Sequence, residues 1–153
     1  MAVVVAQETP RQADIVTLVA ELDAYLGGLY PAESNHLLDI ETLAAPDVRF
    51  FVARADGRAI GCGALRVDRE GWGEVKRIYV HPAARGTRVS VLLLERVEAA
   101  ARHEGLTHLR LETGIHQPEA LGLFRRAGFV EREPFGNFHA DPLSVYMEKT
   151  LTA

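Results

Sequence analysis

Residues 73–102 run GEVKRIYVHPAARGTRVSVLLLERVEAAAR. The β-branched run predicts a strand over Glu74–His81, the Pro82 and Arg85-Gly86 punctuation predicts a turn, and the apolar spacing beyond the turn predicts an amphipathic helix over Val89–His103. A strand that passes through a short loop straight into a helix leaves the helix's first N–H groups without partners, at the positive end of its dipole. Such a junction holds an anion, and phosphate above all. Arg85 and Arg88 add two full positive charges beside it.

Working outward, Val3–Gln7 reads as a strand. Arg11–Leu26 carries Ile15, Leu18, Val19, Leu22 and Leu26 on one helix face, with Gly27-Gly28 as its expected end. The segment LYPAESNHLLDIETLAAPD is turn-rich around a short helical pattern at Leu37, Leu38, Ile40 and Leu43. Arg49–Ala55 and Ala59–Val67 are strands joined by the tight turn Asp56-Gly57, a hairpin signal. After the central helix come a strand Thr107–Thr113, a helix Pro118–Ala127, a strand from Phe129 and a last strand Ser144–Leu151. Hairpins first and helix-connected strands later predict an α/β sheet with helices on both faces.

At 153 residues and 48% hydrophobic content, the chain has material for one core, so a single domain over 1–153 is expected. Its apolar runs are soon broken by charge, and MAVVVAQETP lacks the basic start and long apolar stretch of a signal peptide; a cytoplasmic protein with no membrane partner is expected. Net charge −4 and no basic patch interleaved with aromatics argue against a nucleic-acid partner and permit an amine substrate. Six histidines without metal-ligand spacing predict no metal site. The lone Cys62, in AIGCGALRV, reads as a small buried thiol.

Strand, turn and helix together resemble the acetyl-CoA-binding motif of the GCN5-related N-acetyltransferases (GNAT family), Arg/Gln-x-x-Gly-x-Gly/Ala after a strand ending in Val-x-Pro. QPEALGLFRRAGF (Gln117–Phe129) is similar to the family's Asn-x-x-Ala-x-x-Leu-Tyr-x-x-x-Gly-Phe segment, and SVYMEKTL (Ser144–Leu151) to its closing strand. The match departs at four places. Arg88 and Ser90 stand where the loop has glycine and Gly/Ala, Gln117 replaces Asn, and Phe124 replaces the Tyr that serves as general acid.

The resemblance implies the GNAT (acyl-CoA N-acyltransferase) fold, a mixed, mostly antiparallel sheet with a V-shaped cleft between the strands Glu74–His81 and Thr107–Thr113. It implies acetyl-CoA as co-substrate, the backbone of Ile78, Tyr79 and Val80 along the pantetheine, and the Ile78 N–H on the thioester oxygen, where charge develops. Arg85, Gly86, Thr87, Arg88, Val89 and Ser90 hold the pyrophosphate on this reading, and Gln117 and Phe124 flank the cofactor. An ammonium has no lone pair for attack, so a base is needed. Glu74, opening the cleft strand, is the first candidate and His81 the rival. Without the family's Tyr, the phenols Tyr146 and Tyr79 are the candidate acids.

The resemblance also implies an acceptor side at 29–38 and 134–142, where Tyr30, Glu33, His36, Phe135, Phe138 and His139 could line a site for a small, partly apolar amine. Two functions are compatible with these residues. One is an N-acetyltransferase working by direct attack in a ternary complex, as a possible homodimer. The other is a GNAT-fold ligand-binding or sensing module whose chemistry is impaired by Arg88, Ser90 and Phe124.

Overall fold

The strands β1 (Val3–Gln7), β2 (Val48–Ala55), β3 (Arg58–Val67), β4 (Trp72–Val80), β5 (His108–Gly114), β6 (Val130–Arg132) and β7 (Ser144–Thr150) form one sheet in the order β1-β2-β3-β4-β5-β7-β6. The structure is a computed structural model that describes residues 2–29, 40–85, 87–136 and 141–151. Every neighbouring pair is antiparallel except β4 and β5. Helices α1 (Ala13–Leu29) and α2 (Ile40–Leu43) cover one face, while α3 (Val89–His103) and α4 (Pro118–Arg126) cover the other.

A strand buried on both faces cannot alternate apolar with polar residues, and β2, VRFFVARA, does not. Phe50 and Val52 point toward α1 and α2, Phe51 and Ala53 toward α3, and all four are buried. Cys62 belongs to the α1 side and is fully buried, as its apolar neighbours in sequence predicted.

The sheet comes apart between its two central strands. β4 and β5 pair only at Trp72↔His108, Gly73↔Leu109 and Glu74↔Arg110. Beyond Glu74, β4 carries a bulge: its register against β3 slips between Cys62 and Ala64, and Arg77 takes the left-handed backbone, φ 58°. A bulge adds a residue to one strand, bends it and reverses which face each later side chain takes. Thus Trp72, Glu74 and Lys76 share a face, while Tyr79, on the other parity, joins the α1-side core. Gly63 makes room for the bend, since a Cβ there would lie 2.6 Å from Ile78 Cδ1. β5 meanwhile stays with β7 along its whole length.

Two expectations need correcting. α1 does not stop at Gly27-Gly28 but runs through both to Leu29, because glycine weakens a helix by roughly 1 kcal/mol without breaking it. Of the short helical pattern, Ile40–Leu43 forms α2, and Leu37 and Leu38 lie outside the described residues.

Candidate active site

A cavity of about 520 Å³ opens where β4 leaves β5. Its floor is Ile78, Tyr79 and Val80 of β4; α4 walls one side through Leu123 and Arg126, with Gln117 at its N-cap, and Leu22 and Tyr25 of α1 reach in from the other. The backbone of β4 is turned to suit a ligand with amides of its own. The His81 N–H bonds to Ile60 O on the β3 side at 2.8 Å, and strand amides alternate, so the Val80 N–H and C=O face the opening.

At its inner end the cavity meets the start of α3. Arg88, Val89 and Ser90 line it there, together with Arg85, whose guanidinium lies 5.7 Å from the Tyr25 ring. Arg88 is the N-cap of α3 with φ 65°, ψ 14°, and its exposed side chain makes no capping bond. This left-handed backbone explains why glycine suits the position. The Thr87 hydroxyl donates to Ala84 O, which ties down the loop, but its side chain does not line the cavity.

The α1-side face of the fork carries a dense polar cluster. Glu74, 2% exposed, sits at the last paired position of β4. Its Oε1 accepts from Arg66 Nε at 3.1 Å and its Oε2 lies 3.1 Å from Lys76 Nζ, an ion pair without a directed hydrogen bond. The guanidinium groups of Arg66 and Arg110 lie 5.2 and 4.8 Å from the Trp72 ring centre. Glu148 accepts from Arg110 and Arg132, each at 2.7 Å; burial pushes its carboxyl up, but these bonds outweigh burial and hold it below the ordinary value. Glu112, two residues past the fork on β5, accepts from Ser144 Oγ at 2.8 Å and Tyr146 OH at 3.2 Å.

Of the residues singled out by sequence, Ile78, Tyr79, Val80, Arg85, Arg88, Val89, Ser90 and Gln117 come together around the cavity. Phe124 does not. It is buried in the core on the α3 side, edge-to-face against Phe129 at 5.6 Å, because its helix turns that position inward. Tyr146 is also away from the cavity, packed with Trp72 and Phe135 in a small aromatic cluster. Burial, with Glu112 beside it, pushes the Tyr146 phenol up to about 12. His81 caps the 3-10 turn Pro82–Ala84, its Nδ1 accepting from the Ala83 N–H at 3.1 Å, so one ring nitrogen is committed to the backbone. Tyr30, Glu33, His36, Gly86, Phe138 and His139 lie outside the described residues.

Sequence reasoning passed over Arg77, Arg126 and Glu112. The signal for the first was present: in EVKRIYV the apolar residues Val75, Ile78 and Val80 step by three and then two, the slip that a bulge makes in an alternating strand. For Glu112 the cue was its alternation with Leu109 and Leu111 in HLRLETG.

Known proteins share this sequence and this fold. Residues 16–129 match the model of the Acetyltransferase (GNAT) family. The chain is a GNAT acetyltransferase. It is 55% identical over 150 residues to the IAA acetyltransferase of Azospirillum brasilense, covering 97% of this acetyltransferase and 98% of that one. A candidate acyl-CoA N-acyltransferase of Klebsiella pneumoniae superposes with a TM-score of 0.84 at 38% identity, over 98% of both chains. The PaiA N-acetyltransferase of Thermoplasma acidophilum, solved in complex with coenzyme A, shares the fold with a TM-score of 0.76 at 18% identity, over 99% of this chain and 100% of that one. No group of three or more His, Cys, Asp or Glu side chains able to hold a metal ion occurs among the described residues of the acetyltransferase, and none of their helices is long and apolar enough to cross a membrane.

Proposed function

We propose that this acetyltransferase moves an acetyl group from acetyl-CoA to the amine of a small molecule by direct attack in a ternary complex. The observation that carries the reading is the cleft itself, which joins outward-facing β4 amides to an uncapped, arginine-flanked helix N-terminus. The chemistry of coenzyme A fits those parts. The start of α3 with Arg85 and Arg88 suits its pyrophosphate, the Val80 amide and carbonyl suit the pantetheine amides, and the Ile78 N–H suits the thioester oxygen. Arg88, in the conformation glycine would take and with an exposed side chain at the cavity's edge, fits a phosphate contact better than an obstruction.

Glu74, 2% exposed at the last paired position of β4, does not itself line the cavity, and the acceptor is placed on its side of the fork. On this reading Glu74 takes the ammonium proton directly or through one water, the amine nitrogen bonds to the carbonyl carbon and gives up its second proton to solvent, the C–S bond breaks with its electrons on sulfur, and the phenol that protonates the thiolate regains its proton from solvent. Tyr79, whose phenol burial and Glu21 hold protonated above its usual range, lines the cavity and returns a proton to the thiolate. The Azospirillum relative's name puts IAA first among acceptors to try, beside a panel of small amines.

Calorimetry with acetyl-CoA and assay of thiol release over that panel test the proposal. Saturable binding with release driven by one acceptor supports it, and no binding removes it. Pairing of two copies through the late strands is a separate expectation. Sedimentation at the mass of one chain across micromolar concentrations ends it.

A further inference from the structure

The bulge in β4 is held by two contacts that the transfer chemistry itself does not use. Cys62 Sγ donates to the carbonyl oxygen of Arg77 at 3.3 Å from the α1 side of the sheet. Arg77 is a bulky residue at φ 58°, a conformation that costs an L-residue free energy and persists only where the surroundings impose it. Beside this backbone stands an ion pair: the Arg77 guanidinium, its side chain 3% exposed, is bonded to Asp23 on α1. Burial pushes the Cys62 thiol up to about 12, so the sulfur keeps its proton and remains a donor.

Peptide planarity carries the consequence. The carbonyl of Arg77 and the N–H of Ile78 belong to one trans plane and point in opposite directions. Fixing the carbonyl on Cys62 therefore turns the Ile78 N–H away from α1, toward the side on which Ile78 lines the cavity.

We infer that Cys62 and the Arg77–Asp23 pair are positioning residues, which lock the Arg77–Ile78 peptide with its N–H aimed at the acyl oxygen of bound acetyl-CoA. The inference rests on the cleft taking acetyl-CoA, as proposed above. Two clamps suit the task because an isolated amide donor aids acyl transfer only when held in place before charge develops. Cys62 restrains the carbonyl side, and Arg77, anchored on another element, supplies the unusual backbone angle.

The test reads the thioester carbonyl directly and needs no acceptor. Isotope-edited infrared spectra of [1-13C]acetyl-CoA bound to the wild-type protein are expected to show the carbonyl stretch at lower frequency than in water. Cys62→Ala loses most of that downshift, and Cys62→Ser, which restores a donor, keeps it. Arg77→Ala loses it as well, whereas Arg77→Gly retains it, because glycine takes φ 58° without the ion pair. Acetyl-CoA affinity by calorimetry stays within about twofold throughout, since an orienting contact acts on the carbonyl more than on the whole ligand. Bound acetyl-CoA with an unshifted carbonyl, or a downshift untouched in both alanine variants, overturns the inference. Failure of the wild-type protein to bind acetyl-CoA overturns the proposed function and this inference together, and calorimetry tells that outcome from the others.

Discussion

The hydroxyl of Tyr146 on β7 donates to Oε2 of Glu112 on β5 at 3.2 Å, across a directly opposed pair of the ladder. Its proton is thereby engaged away from the cavity, while Tyr79, on the splayed strand, lines it. Of the two phenols that the sequence offered, Tyr146, the one placed first as a catalytic group, lies away from the cavity, and Tyr79, placed along the cofactor, lines it. Tyr79→Phe is expected to lower turnover by roughly 10²-fold with acetyl-CoA affinity unchanged, whereas Tyr146→Phe lowers it by less than about tenfold. Steady-state rates and calorimetry on the two variants check this, and the reverse order of effects would reassign the acid.

Glu74 holds two cations and sits at the last position where β4 and β5 pair. Replacement by Gln keeps the size and removes the charge. Turnover is expected to fall by roughly 10²–10⁴-fold with little change in acetyl-CoA affinity. Stability is expected to drop too, because Arg66 and Lys76 lose a common counter-charge. Thermal melts beside single-turnover rates separate the two effects. A variant with wild-type turnover and a lower melting temperature would leave Glu74 structural, and Glu112 would be the next carboxylate to replace.

Arg88→Gly acts on stability and binding in opposite directions. The left-handed backbone at φ 65° suits glycine, so the folded state gains up to roughly 1 kcal/mol after the entropy of the freer unfolded chain is subtracted. Coenzyme A affinity is expected to weaken, and its salt dependence to flatten, since a guanidinium near phosphate is lost. Melting curves and titrations at two ionic strengths check both, and tighter binding by the variant would mark Arg88 as an obstruction.

Acid stability should depend on Arg54 of β2. Its hydrogen bonds hold Glu8 below 4.5 and Asp14 below 3.8, the ordinary values of the two carboxyls. Near pH 4 the unfolded chain therefore binds more protons than the folded one, so stability rises with pH there. The contribution is complete above about pH 5 and lost as pH falls through the depressed folded values. Urea midpoints between pH 6 and 3 are expected to fall more steeply in the wild type than in Arg54→Met.

Most of the strands and helices, their order and the family were legible in the sequence because each rests on local signals: β-branched runs, Asp56-Gly57, the Pro82 to Gly86 turn and the helical spacing of α1 and α3. The loop residues of the cleft were legible for the same reason, since a strand, a turn and a helix start are contiguous in the chain. What depended on the tertiary structure involves partners far apart in sequence. Phe124 became core because Phe129 and α3 lie beneath it, and Tyr146 left the cavity because β7 stays with β5 when β4 departs. The contacts around the Arg77–Ile78 peptide, Cys62 Sγ to the Arg77 carbonyl fifteen residues away and the Arg77 guanidinium to Asp23 on another element, likewise join residues far apart in the chain. Periodicity records which face a side chain takes, whereas a carbonyl bonded to a sulfur on the next strand and an ion pair to a helix exist only once those elements have packed.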